Sequence, residues 1–524
     1  AGNPNQFTTD WLHIENDLNI LNSPAYAHQN GKPVICIWGF GFVGRTNTPQ
    51  KSLEIINWLK DKGYYVIGGV PTNFRTSSSD SYPGYEEVYK AFDMLSPWTV
   101  GRYGNTGGID NYKTQFLIPD YEYCQENGID YQPVLFPGFA WSNWNSDKVN
   151  EMPRDRGEFL WRQMYNIKES GISSAYIAMF DEYDEGTAIL KAADSFFAIP
   201  TDQYFLTNSA DGTYLSSDFY LRLAGKATRV LKGTDPLTET VTIPYSEGPI
   251  WFRTSFEKGF DAIIPTNAAM ENAENVSNLK VAPVKSEVFR WGSYAVRYVG
   301  KSTMASNAHA DFPLFDVNIP VNENTKLGFW LYPLNENGRY VSIDLIMTDG
   351  TRFKDVNAVD RHTGISMDPA TPRGVIDRWN PNLSDIGQWL NGKTIDKICL
   401  SFADAPSTEG FNGYIDDIVI TDTNDVLGTD AITSIPQITE GKGREVGIYP
   451  TFVEDGVIYL NTKDIRGNTP LELSIVNMQG KLVFKKKLMP GSIHSLSIDK
   501  LPGGFYIASV IGENVTTNKK IVVK

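Results

Sequence analysis

Ser174-Ala-Tyr-Ile-Ala-Met-Phe180 runs directly into Asp181-Glu-Tyr-Asp-Glu185-Gly-Thr-Ala-Ile189, an apolar strand that empties into four acids within five positions. A helix signal near Arg156 to Ser170 precedes it, and the same order repeats upstream. Pro33-Val-Ile-Cys-Ile-Trp38 reads as a buried strand, and Gln50 to Lys60 as an amphipathic helix closed by Gly63. Tyr64-Tyr-Val-Ile-Gly68 begins the next strand. A helix near Tyr85 to Met94 leads into Trp98-Thr-Val100, and one near Lys113 to Glu126 leads into Tyr131-Gln-Pro-Val-Leu-Phe136. Downstream, Gln203-Tyr-Phe-Leu-Thr207 reads as a sixth strand and Phe219 to Leu231 as the last helix. Such alternation implies a parallel sheet with helical crossovers. Each strand ends in a polar or aromatic loop, and no Gly-x-Gly-x-x-Gly follows any of them. A (β/α)8 TIM-like barrel over residues 1–240 is therefore expected ahead of an open doubly wound sheet.

At roughly 150 residues per domain, 524 residues make about three domains. Near residue 235 the texture changes to a linker, Pro236 to Pro244, and then to short runs of period two. Lys326-Leu-Gly-Phe-Trp-Leu-Tyr332 and Tyr340-Val-Ser-Ile-Asp-Leu-Ile-Met347 are examples, separated by turns such as Asn335-Glu-Asn-Gly338. They predict a jelly-roll-like β-sandwich over 245–425. A second linker follows from Gly428 to Glu445, and residues 440–524 predict a small Ig-like β-sandwich. The multidomain chain thus reads as a barrel followed by two sandwiches.

Composition removes several function classes. The net charge of −15 and pI near 4.9 argue against a nucleic-acid partner. No apolar run reaches the 18 or so residues of a membrane span. Cys36, Cys124 and Cys399 build no disulfide framework or zinc spacing, and Cys36 and Cys399, within apolar runs, are expected to be buried. Of five histidines, none falls between residues 29 and 308, so chemistry in the first domain rests on carboxylates. The opening Ala1-Gly2-Asn3 admits a trimmed export signal. Residues 441–524 carry 12 lysines and arginines against seven acids, a net of +5 on this acidic chain. Lys485-Lys486-Lys487 there reads as a lysine-guarded strand edge ahead of an anion site. No cofactor or metal is expected, although the sandwich would admit a structural Ca2+, and a monomer is expected.

In a barrel, the loop after a strand's C-terminal end faces the catalytic mouth. Glu182 and Glu185, three apart, share one side of a helical turn. Glycoside hydrolysis needs two carboxyls at one bond, one of them kept protonated, and clustered acids raise one another's pKa. Three readings stay open for this cluster: catalysis, a calcium site, or acids dressing a helix N-terminus. Trp38, Arg75, Trp98, Arg102, Tyr103, Trp141 and Asn143, at other strand ends, are candidate sugar-binding groups, as are Asp181, Tyr183 and Asp184. Aromatic faces stack on pyranose C–H surfaces, and Arg and Asn bond hydroxyls. Trp144 shares the loop of Trp141. Trp58 and Trp161, within helices, are expected in the core, as is Trp330; Trp291, Trp379 and Trp389 fit either a sandwich core or a platform.

The segment Asp181-Glu-Tyr-Asp-Glu-Gly-Thr-Ala-Ile189 resembles the Asn-Glu-Trp-x-Glu-Gly-Thr-x-Ile segment of glycoside hydrolase family 99. Ser96-Pro-Trp-Thr-Val-Gly-Arg102, Phe136-Pro-Gly-Phe-Ala-Trp141, Phe159-Leu-Trp-Arg162 and Tyr220-Leu-Arg-Leu-Ala-Gly225 are similar to bacterial family 71/99-like proteins. The resemblance implies a (β/α)8 enzyme acting endo on α-mannosides or related polysaccharides with retention. It makes Glu185 the general acid/base and Glu182 the group that deprotonates the sugar 2-hydroxyl to form a 1,2-anhydro intermediate. Asp181 stands where the family has Asn, Tyr183 where it has Trp, and Asp184 adds a charge; the family's aromatic, His-containing first strand is here Ile35-Cys-Ile-Trp-Gly39. Reaction class is expected to survive these changes better than mannose specificity. The alternative is a carbohydrate-binding protein that kept the scaffold without turnover. Ser255-Phe-Glu-Lys-Gly-Phe260 and Gly413-Tyr-Ile-Asp-Asp-Ile-Val-Ile420 resemble the ends of carbohydrate-binding jelly-roll modules. Val446-Gly-Ile-Tyr-Pro450, Ile475-Val-Asn-Met-Gln-Gly-Lys-Leu482 and Leu501-Pro-Gly-Gly-Phe-Tyr506 resemble the C-terminal sorting domains of type IX secretion in Bacteroidota. That resemblance implies handling by the secretion machinery and a secreted or outer-membrane-surface location, with the periplasm as a further compartment.

Overall fold

A computed structural model describes residues 4–427, save 146–147, 201–203, 286–287, 291 and 425, and residues 446–523, save 450–451, 454–455, 464, 466, 468, 478–480 and 513–514. Two compact units emerge, Ala1–Asp430 and Ala431–Lys524. The first begins with a parallel sheet. Lys32–Trp38 pairs with Tyr65–Val70, which pairs with Met94–Pro97, which pairs with Asp130–Tyr131. Pro133 has no N–H for a ladder, so the strand breaks there. Val134–Leu135 then pairs with Tyr176–Ile177. Gln132 N–H donating to the Leu95 carbonyl and Tyr176 N–H to the Pro133 carbonyl, each 2.9 Å, carry the sheet across the break.

Helices Pro49–Asp61 and Glu158–Glu169 cover the outer face through Ile55, Ile56, Leu59, Leu160, Trp161 and Met164, all buried. Thr48 caps the first, its hydroxyl accepting from Lys51 N–H, and Pro49 takes the first helical position where no N–H is missed. The inner face is different. Ile35 and Ile37 are buried, whereas Cys36 and Trp38, alternating with them, are exposed. Cys36 therefore departs from the expectation of burial: its strand is covered on one face only. Tyr176, across the curve of the sheet, is also exposed, and its hydroxyl pKa is raised by burial and by Cys36.

These strands, side by side in chain order, make half a barrel. The strand expected at 98–100 lies earlier, at Met94–Pro97. Residues 204–207 form no strand, and residue 203 lies outside the described residues. The Tyr204 backbone is engaged by a side chain instead, and Asn208, just beyond, ties the chain down through its own amide. Asn143 binds both polar groups of Tyr204, and Asn208 Nδ2 donates to the Ser216 and Ser217 carbonyls at 2.9 and 3.0 Å. Side-chain bonds of this kind compete with a ladder. Among the described residues no strand follows Ile177 until Ile250–Thr254.

Residues 250–421 form two facing antiparallel sheets. One runs Val276–Lys285, Tyr294–Ser302, Gly410–Thr421, Lys326–Pro333, Asn380–Ser384, and the other Val341–Met347, Thr394–Ala403, His309–Pro320, Glu271–Glu274. Phe329, Ile343, Leu400 and Ile415 are fully buried between them, and Phe402 stacks on Phe411 at 3.8 Å. Trp330 is buried, as expected, and Trp379 and Trp389 are half-buried; Trp291 lies outside the described residues. Cys124 and Cys399 are buried.

The second unit is again a sandwich of two sheets around Ile458, Leu460, Leu473, Ile475, Ala508 and Ile521. Leu482–Leu488 is an edge strand, and Lys485, Lys486 and Lys487 on it are all exposed. Lysines there oppose edge-to-edge pairing. The linker 428–445 lies outside the described residues.

Candidate active site

The acidic segment forms one helical turn. Thr187 N–H donates to the Glu182 carbonyl and Gly186 N–H to the Tyr183 carbonyl, each at 3.1 Å, with Gly186 at φ 66°. This is a Schellman closure, and its left-handed position favours glycine. Glu182 and Glu185 lie three apart on that turn, the spacing at which helical side chains share one side. Asp184 N–H donates to Glu182 Oε1 at 3.1 Å, which holds that carboxylate against the turn. Glu182, Tyr183, Asp184 and Glu185 are half-buried, and Asp181 is exposed. Partial burial raises the Glu185 pKa, and the charges of Glu182 and Asp184 raise it further. Among the described residues the next α-helix begins at Phe219, too far on for these acids to dress its N-terminus.

Three anchors fix the turn. Met179 N–H donates to the Thr187 carbonyl and Ile189 N–H to the Met179 carbonyl, closing the loop at its base. Ala140 N–H donates to the Glu185 carbonyl at 2.9 Å, while Asn143 Nδ2 donates to the Asp184 carbonyl at 3.1 Å. Arg154 is the third. Its Nη2 donates to the carbonyls of Gly186 and Ala188 at 2.7 and 3.0 Å, and its guanidinium lies 4.6 Å from the Tyr220 ring centre. Burial lowers the Arg154 pKa.

The other candidates divide. Trp38 (45% exposed) packs on Phe42 at a tilt of 33° and meets Trp98 edge-on at 5.9 Å, with the Arg45 guanidinium 5.2 Å from its ring. Trp141 and Trp144 are exposed beside the acid turn's anchors. Tyr183 donates to the Lys191 carbonyl at 3.0 Å. Asn143 has its amide committed to Asp184 and Tyr204. Arg75 binds Asp120 at 2.8 Å and the Gln115 carbonyl, and Arg102 binds Asp80 at 2.7 Å. Tyr103 sits in the core, its hydroxyl donating to Gln163 Oε1 at 3.0 Å among Tyr112, Phe136 and Phe159. The structure thus gathers Trp38 with Trp98 and the acids with Trp141 and Asn143, and it holds Tyr103 inside. Arg154 carries no sign of this role in the sequence. Its neighbour Arg156 has the same composition around it, and only the fold tells the buried one from the exposed one.

Among the described residues no three His, Cys, Asp or Glu side chains are grouped to hold a metal ion. No described helix is long and apolar enough to cross a membrane.

Residues 447–524 match the model of the secretion system C-terminal sorting domain. No curated protein matches the chain. Among solved structures, the chain is similar to the GH99 endo-alpha-mannosidase from Bacteroides thetaiotaomicron at 18% identity and a TM-score of 0.34, covering 44% of this chain and 64% of that one. It therefore spans less than two thirds of that enzyme. The glycoside hydrolase domain of Endo-D from Streptococcus pneumoniae R6 aligns at 11% identity and a TM-score of 0.24, over 90% of this chain and 72% of that one. A carbohydrate-binding module of the β-sandwich superfamily aligns at 14% identity and a TM-score of 0.22, over 29% of this chain and 56% of that one. The sorting domain at 447–524 marks the protein for the type IX secretion route and the cell surface.

Proposed function

We propose that this is a secreted glycoside hydrolase of α-linked glycans, mannan-like or related, in which Glu185 is the acid/base and Glu182 assists attack. The observation that carries the reading is the acid turn itself: two half-buried glutamates on one anchored turn, with the pKa of Glu185 raised. A general acid must hold its proton near the working pH, and burial beside like charges is how a carboxyl does so. The family 99-like motif at 181–189 supports retention with endo action, with Glu182 acting on the sugar 2-hydroxyl. The half-barrel is read as the (β/α)8 frame of such an enzyme, reduced to the strands that carry the turn. Exposed Trp38, Trp141 and Trp144 offer stacking faces, Asp181, Tyr183 and Asp184 line the approach, and the sorting domain delivers the chain to polysaccharide outside the cell.

One observation favours a second reading, a glycan-binding protein without turnover. The inner face of the sheet at Cys36, Trp38 and Tyr176 is open, and an open site excludes water poorly. Oligosaccharide release from α-mannans, α-glucans and other microbial and plant glycans separates the two. Wild type should release products that Glu185→Gln and Glu182→Gln do not. Binding without release by wild type would replace the hydrolase with the glycan-binding protein, and full activity in both variants would sink the glutamate pair.

A further inference from the structure

A groove of about 760 Å3 lies where residues 241–246 pass between the half-barrel and the first sandwich. It shares no residue with the acid turn. Arg156, Thr242, Tyr245, Trp251, Asp316 and Asn318 line it, with apolar neighbours between. Three features of its walls are built rather than incidental. Tyr245 is 43% exposed, although its ring has Phe219 edge-on at 6.1 Å as a support. The sandwich strand His309–Pro320 shifts register between Asp316 and Ile319 as it reaches the groove, and both Asp316 and Asn318 are exposed there. Bulges of this kind re-aim side chains. On the opposite side Asp155 and Arg156 both take left-handed backbones, φ 43° and 54°, before Gly157. Two successive non-glycine residues in that region are costly and gather at functional sites. The described ion pair of Arg156 is a long one, 3.4 Å, to exposed Asp155, which leaves most of its donors for a ligand.

We infer that this groove is a second saccharide-binding site, taking a neutral oligosaccharide. An exposed aromatic ring supplies the stacking face, while a guanidinium, a carboxylate and an amide supply paired donors and acceptors for hydroxyls. Opposite charges at Arg156 and Asp316 favour a neutral ligand over an anionic one. The volume falls in the range of small-ligand clefts and holds more than one sugar ring. Its place in the unit that carries the acid turn lets one polymer chain be gripped away from the point of cleavage, which raises its effective concentration there. The site does not depend on turnover at Glu185.

The test uses the full chain carrying Glu185→Gln, so that no probe is consumed, with α-mannohexaose and maltohexaose at millimolar concentration. Hydrogen exchange is read at 241–246 and 315–319 and, separately, at 179–190. One of the probes should protect the groove segments. Tyr245→Ala or Asn318→Ala should weaken that binding roughly tenfold or more, while Tyr245→Phe, which keeps the ring, should bind as before. Protection of 179–190 should survive all three changes. Groove segments unprotected by either probe, or protection indifferent to Tyr245→Ala and Asn318→Ala, would overturn the inference. Protection that grows with protein concentration and needs no sugar would overturn it too, by assigning the groove to a second copy of the chain. Groove protection with 179–190 untouched would count against the proposed hydrolase and leave this site standing.

Discussion

Removing the Arg154 guanidinium should free the acid turn from the body of the sheet. Its Nη2 serves the Gly186 and Ala188 carbonyls at 2.7 and 3.0 Å, and both of those residues are buried. Arg154→Met keeps the apolar length of the side chain and relieves the burial of a charge. It leaves two buried carbonyls without a donor, at about 1–3 kcal/mol each. The carbonyls alone would cost about 2–6 kcal/mol; the relieved charge burial offsets part of this, and detachment of the loop alone caps the loss. Arg154→Lys keeps the charge without the planar fork and should fall between. Urea unfolding of the two variants beside wild type reads the energy, and hydrogen exchange over 179–190 reads the place. If Arg154 is a bolt for this turn, exchange there should accelerate far more than exchange in the core helix Glu158–Glu169. A cost below about 0.5 kcal/mol, the range of ordinary surface changes, with unchanged exchange at 179–190 would show that Arg154 does not hold the turn.

Gly186→Ala should cost about 1–2 kcal/mol through its left-handed backbone, because the nearest atoms to an added Cβ are 3.6 Å away and do not clash; a thermal melt indistinguishable from wild type would show that the turn opens easily. Asp120 gives the pH dependence. Burial outweighs its bond to Arg75 and raises its pKa from 3.8 to about 7, so the folded state holds a proton that the unfolded chain gives up. Stability from this group is complete below pH 4 or so and is lost as pH rises toward and through about 7, by roughly 4 kcal/mol at 1.36 kcal/mol per unit. Asp120→Asn, which still accepts from Arg75, should gain on wild type steadily between those limits in denaturant melts, and parallel stability curves would contradict the assignment.

Much of the acid turn was legible because its signals are local. A strand-length apolar run, four acids and a glycine placed to close one turn are all read within 16 residues, 174–189. The sandwiches were legible for a similar reason, since period-two runs and turn clusters survive in any single sequence. Closure of the barrel was not. Gln203 to Thr207 has the composition of a strand, yet the Tyr204 backbone pairs with the Asn143 side chain, 61 positions away, and the Asn208 amide next to the segment with the Ser216 and Ser217 carbonyls. Cys36 failed in the same way. An apolar run predicts burial on both faces only when something covers both, and no local pattern announces that the inner face stays open. Tyr103 and Trp98, five residues apart, looked alike as strand-end aromatics. Gln163 draws the first into the core, while the second meets Trp38 at the sheet's inner edge.

In the proposed reaction Glu185 carries the proton given to the leaving group. Aryl α-glycosides of graded leaving-group acidity test it most directly, compared between wild type and Glu185→Gln. Glu185→Gln should lose most with poor leaving groups and approach wild type with dinitrophenyl glycosides, which depart without a proton. An equal loss across the whole series, or none at all, would contradict it.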